Sequence, residues 1–303
     1  MPLPPTDPEI NLSSPGQPDP AHEARPMSVR SFGMTDQGLV RETNEDQFLI
    51  AVLSKALGIQ QSSLAQAQAK YGDDTGHIFL VADGLGGSPA GEEASALAVK
   101  SIENFLVNTL KWFFQLKGPE KENVLNEFQD ALRQADASIF SEVEQHPEFN
   151  GMGTTLTLAY SLGANLFVAN AGDSRCYLFR GGELVQMTRD HTLVQDLVRQ
   201  GLVPRAQIDR LDRRLGHMVT NVIGGYTPGV RVEVHKAKLE PGDVVLLATD
   251  GLTRYVPDEQ IAATLQVEPD PKIACQRLVG QAIEQGGRDN VTVIVARYET
   301  FAG

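Results

Sequence analysis

Cysteine is scarce in this 303-residue chain, which has only Cys176 and Cys275. That scarcity argues against a disulfide framework and fits a reducing compartment, so a cytoplasmic location is expected. Basic charge is also short: 26 Lys and Arg stand against 39 Asp and Glu, a net charge of −13. Binding a phosphate backbone needs a basic face, so no nucleic-acid partner is expected. No apolar run approaches the ~18–20 residues that span a bilayer, and the first residues lack the basic and apolar regions of a signal peptide. No membrane partner is expected either. What the chain does have is 41% hydrophobic content, enough for a sizeable core.

Residues 1–26 hold eight of the 17 prolines and little apolar surface, so a disordered N-terminal tail is expected there. From Met27 the chain becomes strand-like, with a turn at Thr35–Gly38 and a charged loop, Arg41-Glu-Thr-Asn-Glu45-Asp46, before the apolar Gln47–Val52. The Gln/Ala-rich segment of about 53–76 looks like an insertion, partly helical. Ser88-Pro89 followed by Glu92-Glu93 has the pattern of a capped helix start. In a second helix, Val124, Phe128, Leu132, Ala135, Ile139 and Val143 recur at three- and four-residue steps, which gives one buried face. The group Trp112-Phe113-Phe114 is expected to pack in the core rather than bind a ligand.

Gly151–Tyr160 with Asn165–Asn170, and Cys176–Arg180 with Glu183–Met187 across Gly181-Gly182, read as consecutive antiparallel hairpins. Hairpins with helices grouped apart point to an α+β plan, not a doubly wound parallel sheet. Residues 192–230 carry Arg199, Arg205, Arg210, Arg213, Arg214 and His217, a basic segment in an acidic protein. It is either a solvated helical face or a flap beside a site for phosphorylated substrate. Further strands are expected near Val230–His235 and at the runs ending on Asp250 and Ala296, with helices near Pro257–Leu265 and Pro271–Gln285.

One pattern recurs. The apolar run His77–Ala82 stops on Asp83-Gly84, and Val244–Thr249 stops on Asp250-Gly251, while Asp289-Asn290 precedes Val291–Ala296. A carboxylate at the mouth of a buried strand, beside glycine backbone, is a good place for a hard cation such as Mg²⁺ or Mn²⁺, which takes oxygen ligands. Three such acids from distant parts of the chain can meet at one end of a sheet core.

Together with Gly153-Thr-Thr155, Gly172-Asp-Ser-Arg175, Asp190-His191 and the Arg41–Asp46 loop, these motifs stand in the order seen in the PPM, or type 2C, metal-dependent protein phosphatases. The resemblance covers roughly residues 27–299. It implies a sandwich of two antiparallel β-sheets with helices on both outer faces, a phosphatase domain over 27–303, and a flap at about 192–230. It further implies hydrolysis of phosphoserine and phosphothreonine in proteins, opposing a serine/threonine kinase, with two Mg²⁺ or Mn²⁺ ions and an optional third as cofactors; a monomer is expected.

The residues matched to the family's motifs receive roles from the resemblance. Arg41 would hold the substrate phosphate, with Glu45 and Asp46 organising water at the ions. Asp83 would bridge the two ions, the Gly84 carbonyl would ligate one, and Asp250 and Asp289 would complete the other's shell. Asp173 with Asp250 matches a third, weaker metal position of bacterial members. Asn290, beside Asp289, reads as an orienting hydrogen-bond partner before a ligand, and Asp190-His191 reads as a folding element of the strand-to-flap turn, with a general base as the alternative. Leu85 replaces a His that animal members carry there as general acid, and leucine cannot donate a proton; the Asp-Gly-x-Gly-Gly form is the bacterial variety. The alternatives are a catalytically silent binding module, which would have lost these carboxylates, and a small-molecule phosphohydrolase.

Overall fold

Ile78–Ala82, Val244–Ala248 and Val291–Ala296 are apolar at nearly every position instead of every second one, which calls for strands covered on both faces. The computed structural model contains such strands; it describes residues 27–54, 56–57, 70–71, 75–87, 89–108, 121–204, 211, 215 and 218–300. The chain begins with β1 (Met27–Asp36), β2 (Asp46–Leu53), the short pair β3 (Ala56–Leu57) and β4 (Lys70–Tyr71), and β5 (Gly76–Leu85). Helices α1 (Ala90–Asn108) and α2 (Lys121–Gln145) follow. Next come β6 (Gly153–Thr154), β7 (Leu156–Leu162), β8 (Asn165–Ala171), β9 (Arg175–Arg180) and β10 (Glu183–Gln186), then helix α3 (Leu193–Arg199). The last part holds β11 (Ile223–Gly224), β12 (Glu233–Lys238) and β13 (Val244–Ala248). It ends with α4 (Asp250–Thr253), α5 (Asp258–Val267), α6 (Pro271–Glu284) and β14 (Val291–Thr300).

One sheet has the order β1-β14-β13-β9-β10; the other runs β11-β6-β5-β7-β8-β12, with β2 also paired to β5. The pairings are antiparallel, including both expected hairpins. Alternation along each strand then divides its side chains between two cores. Ile78, Leu80 and Ala82 of β5 pack with Ala94, Ala98 and Ile102 of α1 and Phe128, Leu132 and Ile139 of α2. Phe79 and Val81 face the opposite way, into the layer shared with Val245, Leu247, Ile294 and Tyr298 of the other sheet. Val244, Leu246, Val293 and Val295 turn outward onto Ile261 and Leu265 of α5 and Cys275 and Leu278 of α6. The expected α+β sandwich, helices on sheet on sheet on helices, is the observed architecture.

Two boundaries moved. The strand expected at Val230–His235 starts only at Glu233. The reason is the buried carboxylate of Asp136 on α2, which accepts from the backbone N–H groups of Gly224, Gly229 and Val230 at 2.7, 3.0 and 3.4 Å. Arg231 N donates to Asn221 Oδ1 at 2.9 Å, so this stretch is held by side chains instead of a ladder. Of the insertion near 53–76, the described parts form the β3–β4 pair and no helix. The tail 1–26, Ser88, Trp112–Phe114, Arg205, Arg210, Arg213, Arg214 and His217 lie outside the described residues. Among the described residues no helix is long and apolar enough to cross a membrane.

Candidate active site

Strand register gathers the acids. β2 and β5 pair with Asp46 opposite Asp83. β13 and β14 pair with Ala248 opposite Val293, so Asp250, just past one strand, and Asp289, just before the other, share an end. Arg175, at the start of β9, lies opposite Ala248, and this brings Asp173 to the same end. Thr249 joins the sheets there: its hydroxyl donates to Asp46 Oδ2 at 2.8 Å and accepts from Thr292 N at 2.9 Å. Two glycines make the close approach feasible, since a side chain at Gly84 would strike the Gly91 carbonyl and one at Gly251 the Asn290 carbonyl.

The Arg41 loop is fastened to this end. Asn290 Oδ1 accepts from Glu45 N at 2.9 Å, and its Nδ2 donates to the carbonyls of Gln37 and Thr43 at 2.9 and 2.8 Å. Asn290 thus orients the loop, as expected from its place beside Asp289. Glu45 is held through its carbonyl, which accepts from Ser95 Oγ of α1 at 2.6 Å. Arg41 itself, half exposed, spreads its guanidinium over Asp289, with Nε 2.8 Å from Oδ1 and Nη2 2.9 Å from Oδ2.

The carboxylates carry more negative charge than their surroundings neutralise. Burial, with Asp250 and Asp289 adding repulsion, pushes Asp46 up to about 7. Asp83 is raised well above the usual carboxylate range by desolvation and by Asp250, Asp46, Asp173 and Asp289 together. Burial likewise raises Asp250, Glu45 and Asp173, the last to about 7. Asp46 Oδ1 is buried with no hydrogen-bond partner among the described residues. An orphaned buried oxygen among protonation-prone acids is the surrounding a divalent cation would relieve, so the residues fit such an ion. As the side chains stand, no three acidic, His or Cys groups among the described residues are drawn into one ligand cluster. Guanidinium groups hold Asp289, Asp173 and Asp250.

Arg254 is the residue that sequence reasoning missed. Its Nη2 lies 2.8 Å from Asp173 Oδ2 and 2.7 Å from Asp250 Oδ2. The two acids expected to share a third ion therefore share an arginine here. A signal was available: Arg254 is four residues beyond Asp250, the spacing at which helical side chains meet. Thr249 gave no such signal. Asp190 and His191 show structural contacts. Arg175 donates to Asp190 through Nε and Nη2 at 2.9 and 2.7 Å, and Gln186 donates at 2.9 Å. His191 Nδ1 accepts from Gly172 N at 3.0 Å, and burial lowers its pKa. Leu85 and Gly86, next after the Asp83-Gly84 corner, line a cleft of about 600 Å³ together with Gly151, Tyr226 and Arg231.

A family model described as Protein phosphatase 2C matches residues 51–197, and one described as Stage II sporulation protein E matches residues 217–299. The serine/threonine phosphatase stp of Listeria monocytogenes is 30% identical over 261 residues, covering 86% of this chain and 92% of that protein. The chain belongs to the protein phosphatase 2C, or PPM, family. Within it, the serine/threonine protein phosphatase PstP of Mycobacterium tuberculosis is 33% identical over 269 residues, or 88% of this chain. The chain spans 45% of the length of that relative. The crystal structure of the PstP catalytic domain in complex with two manganese ions superposes with a TM-score of 0.68 at 32% identity, covering 90% of this chain and 99% of that one.

Proposed function

We propose that this protein hydrolyses phosphoserine and phosphothreonine monoesters in proteins, using two Mg²⁺ or Mn²⁺ ions, and that it opposes a serine/threonine kinase in the cytoplasm as a monomer. The observation that carries the reading is the meeting of Asp46, Asp83, Asp250 and Asp289 at one end of the sandwich, with a buried oxygen of Asp46 that has no hydrogen-bond partner among the described residues. Asp83, the Gly84 carbonyl, Asp250 and Asp289 would hold the ions, and Asp46 and Glu45 would orient water beside them. When bound, such ions supply Lewis-acid chemistry, acidifying water and offsetting charge on phosphate oxygens.

The chain's own groups do the rest. Arg41 has the planar fork that pairs two phosphate oxygens at once. In this structure the fork is engaged by Asp289, which gives it a defined place at the rim of the site. Asn290 fixes the loop from which it reaches. Leu85 offers no proton, so the leaving alcohol takes its proton from water. The cleft beside Leu85 and Gly86, with Tyr226 and Arg231 on its wall, suits the peptide that flanks a phosphoresidue.

The test is turnover of a phosphothreonine peptide with Mn²⁺, with Mn²⁺ plus chelator, and against a panel of metabolite phosphates. Turnover that needs the metal and prefers the peptide is expected. Equal turnover in chelator would refute the metal role, and preference for metabolites would make the protein a small-molecule phosphohydrolase.

A further inference from the structure

Arg254 offers an inference about how many ions this site takes. The residue is the C-cap of α4: its N–H donates to the Asp250 carbonyl at 3.0 Å, which returns the side chain over the Asp250 carboxylate. One nitrogen, Nη2, serves both acids, 2.7 Å from Asp250 Oδ2 and 2.8 Å from Asp173 Oδ2. It sits where a cation bridging the two oxygens would have to sit, and a Mg²⁺ at its usual ~2.0–2.1 Å from oxygen cannot share that space. The place is sheltered, with the Asp173 side chain 4% exposed, Asp250 10% and Arg254 29%. A guanidinium is always charged and less strongly hydrated than an ammonium, so it suits a part-buried position between two carboxylates.

Among the described residues, Arg254 is the cation within salt-bridge distance of Asp173. Its neighbour Arg175 is spread over Asp190 through Nε and Nη2 and also donates to the Tyr177 hydroxyl at 2.9 Å. Asp46 and Asp83, by contrast, have no guanidinium within salt-bridge distance among the described residues. Guanidinium groups thus contact Asp173, Asp250 and, through Arg41, Asp289, whereas Asp46 and Asp83 are contacted by none among the described residues.

We infer that Arg254 is a built-in cation that takes the place of a third metal ion between Asp173 and Asp250, so that the loaded enzyme holds two ions and not three. The inference rests on the two-ion reading above and deepens it. Asp250 keeps one carboxylate oxygen on Arg254 and offers its other oxygen to the metal pair, while Asp173 becomes a positioning residue that holds Arg254 in place.

Metal counting after equilibrium dialysis against excess Mn²⁺ tests this without reference to activity. The wild type and Arg254→Lys should retain two ions per chain, and Arg254→Ala should retain three. Asp173→Asn combined with Arg254→Ala should return the count to two. Circular dichroism establishes that each variant is folded. In chelator, Arg254→Ala should melt about 5–10 °C below the wild type, because a buried acid pair has lost its counter-charge, and Mn²⁺ should recover most of the loss. Three ions in the wild type, or two in a folded Arg254→Ala, would overturn the inference while leaving the two-ion reading in place. A wild type that retains no ion would sink both. Should Arg254→Ala not fold even with Mn²⁺, the wild-type and Arg254→Lys counts decide the matter by the same criterion.

Discussion

Two acid pairs at the same end of the sandwich differ in what balances their charge. Asp173 and Asp250 share the Nη2 group of Arg254 at 2.8 and 2.7 Å. Asp46 and Asp83 face each other across β2 and β5, where Asp46 Oδ2 accepts from the Thr249 hydroxyl and Oδ1 has no hydrogen-bond partner among the described residues. Burial raises the proton affinity of all four, but Arg254 opposes the rise at Asp173 and Asp250, and no cation among the described residues pairs with Asp46. The lesson is that burying carboxylates together does not by itself define ion sites. Asp46 and Asp83 are the acids to which the described residues bring no guanidinium, so a bound ion has most charge to balance there.

The sharpest way to break this comparison is to neutralise one acid of each pair. Asp83→Asn should lower Mn²⁺-dependent turnover on the order of 10³-fold, equivalent to about 4 kcal/mol of barrier, while Asp173→Asn should cost less than about 10-fold. Equal losses would erase the distinction between the bare and the neutralised pair. Arg41→Ala comes next: it should raise KM on the order of 10–100-fold and lower kcat less, since it removes charge-assisted phosphate contacts instead of chemistry. An unchanged KM would remove Arg41 from the phosphate site.

Smaller effects appear in stability. Thr249→Val deletes the hydroxyl that serves Asp46 and Thr292 N, and should destabilise the protein by about 1–3 kcal/mol in denaturant melts. Asp46→Asn should act in the opposite sense when no metal is present. The Asp46 pKa is raised from 3.8 to about 7 on folding, so its contribution to stability is full below the lower value and is lost as pH rises through the upper one. Removing that charge should therefore raise the metal-free unfolding free energy at about pH 8 by roughly 1 kcal/mol or more, seen as a higher Tm, and leave it unchanged near pH 4. A variant no more stable than the wild type at the higher pH would show that Asp46 is not an uncompensated charge.

The architecture was legible because its signals are local. Continuous apolar runs at Ile78–Ala82 and Val244–Ala248 announced strands covered on both faces, and the periodic set around Phe128 and Ile139 announced a helix with one buried side. The start of β12 was misplaced because Asp136, 93 and 94 residues upstream of them, takes up the N–H groups of Gly229 and Val230, and no local pattern reports such a partner. Thr249 was overlooked for a similar reason: a threonine at a strand end looks ordinary until its partner Asp46, 203 residues away, is known.

The sequence by itself determined which segments become strands and helices and put an acid at the mouth of several of them, because side-chain period and turn chemistry act between near neighbours. Only the tertiary structure decided how those acids divide: Asp46 against Asp83 with no guanidinium in salt-bridge distance among the described residues, Asp173 against Asp250 with Arg254 between them. That division depends on strand register and on contacts between residues 81 apart in the chain. Charge compensation is a property of distance in space, and distance in space is fixed only once the two sheets have closed on each other.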